Sequence, residues 1–192
     1  MKIRGASKDD ATDLARLINL AGEHLPEFLW RQIKPTGGDP LAFGAERAAR
    51  DEGAFCYRNA RIAEIGGEVA GMLLGYRLPD PYDAGDPAEL SPILRPLIEL
   101  EALAPGSWYV NAIAAYERFR GQGVGTRLML EAEALARAQG TGRLSLIVAS
   151  ENRGASRMYS RLGYAETARR PLETYPGGPG RGAWVLMVKE LG

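Results

Sequence analysis

The chain has one cysteine, one histidine, no excess of either charge and no apolar run long enough to span a membrane. Each shortage removes a class of function. The lone Cys56 cannot close an internal disulfide, and the lone His24 supplies no ligand cluster of the kind zinc needs, so no metal is expected. Lysine plus arginine equals aspartate plus glutamate at 24 each. No general basic field would therefore gather nucleic acid, and no polybasic patch a membrane surface. A span needs about 18 consecutive apolar residues, and the N-terminus lacks the charged-then-apolar form of a signal peptide, so the cytoplasm is the expected compartment. No internal repeat or low-complexity tract appears. The 192 residues, 45% hydrophobic, suit one domain with a substantial core, and a single domain over residues 1–192 is expected.

The most informative stretch is Ile113 to Thr126, where an apolar run gives way to an arginine and three glycines. Upstream, Ser107 to Ala115 is aromatic and β-branched enough to read as a strand. Downstream, Val124, Leu128, Ala132, Leu135 and Ala136 recur at helical spacing. Strand, glycine turn and helix together make an anion site: the first turn of a helix carries unpartnered N–H groups and about half a positive charge. Gly121, Gly123 and Gly125 lack the Cβ atoms that would hold a ligand's phosphates off the backbone. A Walker loop would need Gly-Lys-Ser/Thr, whereas Gly125 is followed by Thr126 and Arg127. A dinucleotide-binding GxGxxG starting at Gly121 would need glycine at 126. A nucleotide-binding protein would also need a metal-holding Ser/Thr or Asp pattern, which is not found.

Arg120-Gly121-Gln122-Gly123-Val124-Gly125 resembles the R/Q-x-x-G-x-G/A signature of the GNAT superfamily of acyl-CoA-dependent N-acetyltransferases. A second stretch agrees. Asn152, Ala155, Tyr159, Gly163 and Tyr164 resemble that family's N-x-x-A-x-x-x-Y-x-x-x-G-F signature, with tyrosine in place of the last phenylalanine. The two lie in the right order, separated by one helix and one strand, Arg143 to Val148. The resemblance implies an α/β (α+β) GNAT fold: a central, mostly antiparallel mixed sheet of six or seven strands flanked by helices and splayed between the fourth and fifth strands. It covers Ile62 to Gly192 well and the first sixty residues loosely.

Elsewhere, Lys2 to Ala6 reads as a strand, and Ser7 with Asp10 as a capping box opening a helix whose apolar face is Leu14, Leu17, Ile18 and Ala21. Glu23 to Lys34 carries His24, Phe28 and Trp30. A break from Pro35 to Pro40 precedes a helix over Leu41 to Arg50. Ala60 to Ile65 and Val69 to Arg77 flank Gly66-Gly67, a hairpin turn. Residues 78–106 form an acidic insertion between the third and fourth strands. Its second part reads as a helix with Ser91 as N-cap, Pro92 at the first position, Leu94, Leu97 and Ile98 on one face and Pro96 as a possible kink. The insertion either concentrates a cationic amine or is a solvated loop and helix covering a dimer surface. The chain ends in strands over Ala165 to Arg170 and Ala183 to Glu190, joined by a Gly/Pro loop that contains Tyr175 and reads as a surface hairpin tip.

The resemblance also implies roles. Acetyl-CoA is the expected cosubstrate, and a primary amine the acceptor. Its pantetheine arm would lie along Ile113, Ala114 and Ala115, with the N–H near Ile113 meeting the thioester oxygen. The pyrophosphate would rest on Gly121 to Thr126, edged by Arg120 and Gln122, with Asn152 on the coenzyme arm. In the family the first helix and its following segment line the acceptor pocket, which makes His24, Phe28 and Trp30 acceptor candidates, with Asn111 and Tyr175. Tyr159, two turns from Asn152 on the same helix face, is the candidate general acid for the departing thiolate. The alternative is a packed tyrosine. The base is open: Asn111 stands at the expected strand position and cannot take a proton, leaving a water chain held by Asn111 and Tyr109, or Glu101 or Glu99 from the insertion. A non-catalytic acyl-CoA-binding regulator remains the second reading, and a homodimer is compatible with the family.

Overall fold

A computed structural model describes residues 1–33, 37–86 and 88–192. Gly66 and Gly67 both have positive φ, 62° and 85°, the geometry of a two-residue turn that matches strand twist. They join β2 (Ala60–Ile65) to β3 (Glu68–Arg77) as an antiparallel hairpin. With β1 (Lys2–Gly5), β4 (Trp108–Ala115), β5 (Arg143–Ala149), β6 (Ala165–Pro171) and β7 (Ala183–Glu190), they form one open seven-stranded sheet in the order β1-β2-β3-β4-β5-β7-β6. Helices flank it, giving the mixed α/β class expected from the sequence. The pairings β1–β2, β2–β3, β5–β7 and β6–β7 are antiparallel, and β4–β5 is parallel.

That parallel ladder is short. It pairs Trp108 with Leu144, Tyr109 with Ser145 and Val110 with Leu146, while β4 continues to Ala115. On its other side, β4 is one residue out of step with β3. Tyr116 N–H donates to Ala70 O and Leu78 N–H to Ser107 O, both at 2.9 Å. From 70 to 78 is one residue fewer than from 107 to 116, so β4 carries an extra residue, a bulge that leaves main-chain groups outside the ladder.

The described residues gather into two compact units. The first comprises Met1–Gly75, Asn111–Glu131 and Pro176–Gly178. In it, helix α1 (Ala11–Ala21) buries Leu14, Leu17 and Ile18 in a core with Ile62, Met72, Leu74 and Ala112, the apolar face read from its periodicity. The capping pair upstream is real: Asp10 accepts from Ser7 N–H at 2.7 Å and Ser7 Oγ at 3.1 Å. Arg4 closes on Asp10 at 2.7 Å and on Glu64 at 2.6 Å, and its guanidinium holds the Asp10 carboxyl below the usual range. Helices α2 (Leu25–Ile33) and α3 (Pro40–Ala48) follow. Asp39 caps α3 by accepting from Leu41 N–H at 2.9 Å, which starts the helix one residue before the expected Leu41; it ends at Ala48, two residues before the expected Arg50. Lys34 and Pro35, expected at the end of the previous segment and the start of the break, and Pro87 of the acidic insertion lie outside the described residues.

The second unit comprises Tyr76–Val110, Ala132–Tyr175 and Pro179–Gly192. Its β5 and β7 bury Leu144, Leu146, Trp184 and Leu186. Beneath the parallel ladder, the Ser107 and Ser145 hydroxyls, both fully buried, meet at 2.6 Å. The insertion differs from its reading. Helix α4 is Arg95–Glu101, with Leu94 as N-cap. Ser91 to Leu94 forms a preceding turn through Leu94 N–H and Arg95 N–H donating to Ser91 O. Pro96 thus sits in the first turn of the helix, where a missing N–H costs nothing, rather than at a kink. The buried positions are Pro96, Leu100 and Ala104, while Leu97 and Ile98 are half-buried.

Helix α5 (Val124–Ala138) follows β4. A Cβ on Gly71 would lie 2.6 Å from Ala114 O and 2.9 Å from Val124 Cγ1, so glycine there sets how closely β3 approaches β4 and the start of α5. Gly71→Ala is expected to lose roughly 1–3 kcal/mol in urea denaturation, the usual cost of overpacking against main chain.

Candidate functional site

In the first unit, a 3₁₀ turn at Glu117–Phe119 ends β4 and hands the chain to Arg120, extended at φ −63° and ψ 153°. Gly121 and Gly123 then take φ of 75° and 79°. A Cβ at either would meet nothing within 4 Å. Glycine is favoured at both by conformation, and the side on which a side chain would stand is open. The first helical hydrogen bond runs from Arg127 N–H to Gly123 O at 3.0 Å. The amides of Val124, Gly125 and Thr126 therefore precede any i−4 partner within α5. Val124 is buried and anchors the turn, while Arg120, Gly121, Gln122, Gly123 and Thr126 are exposed. Gln122 is tied back by its Nε2 to Arg118 O at 3.1 Å. The Arg118 guanidinium lies over the Tyr116 and Phe119 rings and pairs with Glu68 at 2.9 Å. Ile113, Ala114 and Ala115, the last residues of β4, are half-buried, as is Asn111.

The segment between α1 and α2 holds a constellation that periodicity could not reveal. Glu23 and His24 both have positive φ, 52° and 67°, a conformation non-glycine residues rarely take. The buried Asn19 fixes this corner: its Oδ1 accepts from Glu27 N–H at 3.0 Å, and its Nδ2 donates to Glu27 Oε2 at 3.1 Å. These partners identify which end of the amide is nitrogen. The same Nδ2 lies 3.2 Å from His24 Nδ1, so in the neutral imidazole Nδ1 accepts and Nε2 carries the hydrogen. His24 is exposed, and a Cβ on Gly177 would lie 3.9 Å from its Cβ. Phe28 is half-buried, its N–H donating to His24 O. Trp30 is 6% exposed and presses on Gly44, where a Cβ would lie 2.4 Å from its ring. Its exposed edge lines a hollow with Arg31, Asp39 and Phe43.

In the second unit, Asn152 is the N-cap of α6 (Arg153–Arg161), its Oδ1 accepting from Ala155 N–H at 3.2 Å. Seven residues on, Tyr159 is 6% exposed, with its ring 6.1 Å from that of Tyr164. Burial pushes the Tyr159 phenol up. Tyr164 is buried beside the Lys189–Glu133 pair, 2.6 Å, and its hydroxyl has no hydrogen-bond partner among the described residues. Tyr175, read as part of an exposed loop, is instead buried at 7%. Of the two acids offered by the insertion, Glu99 is paired with Arg170 at 2.6 Å. Glu101 accepts from Tyr82 Oη at 2.6 Å and from the buried Tyr109. Tyr82 lies in the stretch read as loop, and no spacing rule connects it to Glu101. Among the described residues, no group of acids, cysteine and histidine is arranged to hold a metal ion, and no helix is long and apolar enough to cross a membrane.

Residues 21–164 match the family model described as acetyltransferase (GNAT) family. Among solved structures, the chain is similar to one described as an acetyltransferase, with 25% identity, all of both chains covered and a TM-score of 0.67. It is also similar in fold to a ribosomal-protein-alanine N-acetyltransferase from Brucella melitensis, at 18% identity, full coverage of both and TM-score 0.64. An N-acetyltransferase from Staphylococcus aureus Mu50 shares 17% identity over 98% of this chain and 100% of that one, at TM-score 0.63. No curated protein matches.

The amide partners of Asn19 lead to a direct measurement. Nitrogen-15 spectra of neutral His24 are expected to show the Nε2–H tautomer with an unprotonated Nδ1, and Asn19→Ala should return the ring to the mixture seen in free imidazole.

Proposed function

Because the chain belongs to the GNAT acetyltransferase family, we propose that it moves an acetyl group from acetyl-CoA to a primary amine by direct attack, within one acetyltransferase domain. The observation that carries the coenzyme assignment is the glycine turn. Two left-handed glycines with open space beside them lead into a helix whose first amides precede any internal partner. A pyrophosphate fits that combination of exposed N–H groups and helix dipole. Arg120 and Arg127 would add charge at its edge, with Gln122 and Thr126 as further polar contacts. The bulged β4, with its short parallel ladder, supports a pantetheine arm lying along Ile113, Ala114 and Ala115 as an extra strand. The main-chain N–H near Ile113 would meet the thioester oxygen where negative charge develops.

Tyr159 is the proposed acid. A tyrosine phenol is protonated at neutral pH, and burial pushes this one further up, so the hydroxyl has a proton to give to the strongly basic thiolate side of the breaking C–S bond only as that charge develops. Asn152 caps the same helix and is the proposed contact for the coenzyme arm. Trp30 fits packing better than acceptor contact, since it is wedged on Gly44. His24, fixed as a donor at Nε2, is suited to an acceptor oxygen rather than to proton abstraction, with Phe28 beside it. Asn111 and Tyr175 are each proposed as further acceptor contacts, and the cytoplasm is the proposed compartment.

Calorimetric titration should give saturable binding of acetyl-CoA and of coenzyme A, and none of ATP at the same concentration. Absence of coenzyme binding at about millimolar levels would remove the reading. A thiol-release assay over a panel of amines then separates a catalyst from a protein that only binds acyl-CoA. Tyr159→Phe is expected to lower kcat by about 100-fold with an unchanged KM for acetyl-CoA, the scale of a lost general acid. A loss under about threefold would leave Tyr159 as a packing residue.

A further inference from the structure

Glu101 ends α4 with its carboxylate half-buried. A carboxylate in such a place is normally met by a cation. Here its hydrogen-bond partners are two neutral phenols, Tyr82 Oη at 2.6 Å and Tyr109. The Tyr109 ring meets Tyr76 edge-on, with centroids 5.9 Å apart and planes at 76°. Burial raises the carboxyl and the two phenols pull it down, with burial the larger effect. Both phenols are themselves pushed up and stay as donors. The insertion's other nearby acid, Glu99, is already matched by Arg170 of β6. All these residues belong to one compact unit. Tyr109 also stands one residue before Val110, where the β4–β5 ladder ends, so the cluster lies at the fork of the sheet.

We propose that Glu101, held by Tyr82 and Tyr109, is the docking point for the acceptor's ammonium group and takes its proton. The acceptor class is then a primary alkylamine that is cationic in neutral solution. This rests on the acetyl-transfer reading and adds to it a base and a substrate charge. The carboxylate supplies the counter-charge that an ammonium needs and that the neutral phenols do not. The ammonium gives one proton to Glu101, forming a carboxylic acid and a neutral amine. The amine's lone pair forms the C–N bond as the C–S bond breaks. Sulfur leaves with the Tyr159 proton, and Tyr159 is restored by the second proton that nitrogen sheds. Glu101 returns its proton to water, so one proton is released per turnover. The ionisable groups that meet Glu101 are Tyr82 and Tyr109, with Tyr76 beyond them and the Glu99–Arg170 pair on the adjoining face.

The test uses the full chain and two simple probes. Butylammonium chloride is expected to shift the ring resonances of the three tyrosines saturably, at concentrations up to about 100 mM, whereas butanol does not. Glu101→Gln should weaken that binding at least about tenfold, and Glu101→Asp, which keeps the charge on a shorter arm, should weaken it less. Either variant serves if the other fails to fold. No saturable shift in the wild type, or an equal one in the folded variant, overturns the proposal. Acetyl-CoA affinity is measured in parallel. Ammonium binding without coenzyme binding would refute the acetyl-transfer reading and, with it, the role of Glu101 as base, while the cation site itself would stand. In turnover, Glu101→Gln should cost about 100-fold in kcat/KM with butylamine. With trifluoroethylamine, which is already neutral, it should cost under about threefold. Equal losses with both amines would overturn the base.

Discussion

The arrangement depends on one topological demand: β4 and β5 run parallel in a sheet that is otherwise antiparallel. Antiparallel neighbours can be joined by two residues, as Gly66 and Gly67 join β2 to β3. Parallel neighbours need a crossover, and here it is α5. The chain must therefore leave the end of β4, turn within a few residues and start a helix. That requirement places left-handed glycines at 121 and 123 and aims the first amides of α5 at the end of the strand. Ligands of α/β sheets gather outside the carboxyl ends of parallel strands for the same reason. The glycine turn is thus a consequence of the crossover rather than an ornament on it.

Close approach is the second half of that demand. Gly71 has a buried, ordinary strand conformation, and its lack of a side chain is set by Ala114 O and Val124. At Gly121 and Gly123 the opposite holds: there is room, and φ disfavours a Cβ. One stretch of sheet therefore uses glycine for two physical reasons, and only the second leaves an open surface for a ligand.

The parts legible in the sequence were those governed by local rules. The hairpin glycines, the Ser7–Asp10 box, the periodic face of α1 and the glycine turn all stand where their spacing puts them. The start of α4 was misread because Ser91-Pro92 is a good cap followed by a good first residue, and nothing local reveals that Ser91 to Leu94 forms a separate turn. Tyr175 was misread because a neighbouring Pro-Gly-Gly-Pro-Gly run marks a surface loop, whereas burial of its ring depends on residues distant in sequence. The same limit hides the polar constellations. Asn19 looks like one more position on an amphipathic helix, and its role follows only when Glu23 and His24 turn left-handed and bring Glu27 back over it. The bond between Tyr82 and Glu101 joins a loop to the end of a helix, with no period connecting them.

Proton removal shows why this matters for chemistry. An alkylammonium lies about three units above neutral pH, so forming the free amine in water costs roughly 4–5 kcal/mol. The strand position expected to help carries Asn111, whose amide cannot accept a proton. A chain of water molecules would deliver the proton to bulk solvent at its ordinary acidity and leave that cost in place. A carboxylate whose burial favours its protonated form is a better match, because the gap between donor and acceptor narrows. The phenols of Tyr82 and Tyr109 temper that effect. They stabilise the charged carboxylate enough to receive a cation without neutralising it beforehand, as an arginine in their place would. On the proposed reading the insertion supplies the basicity that the strand lacks, through a pairing of neutral donors with one acid.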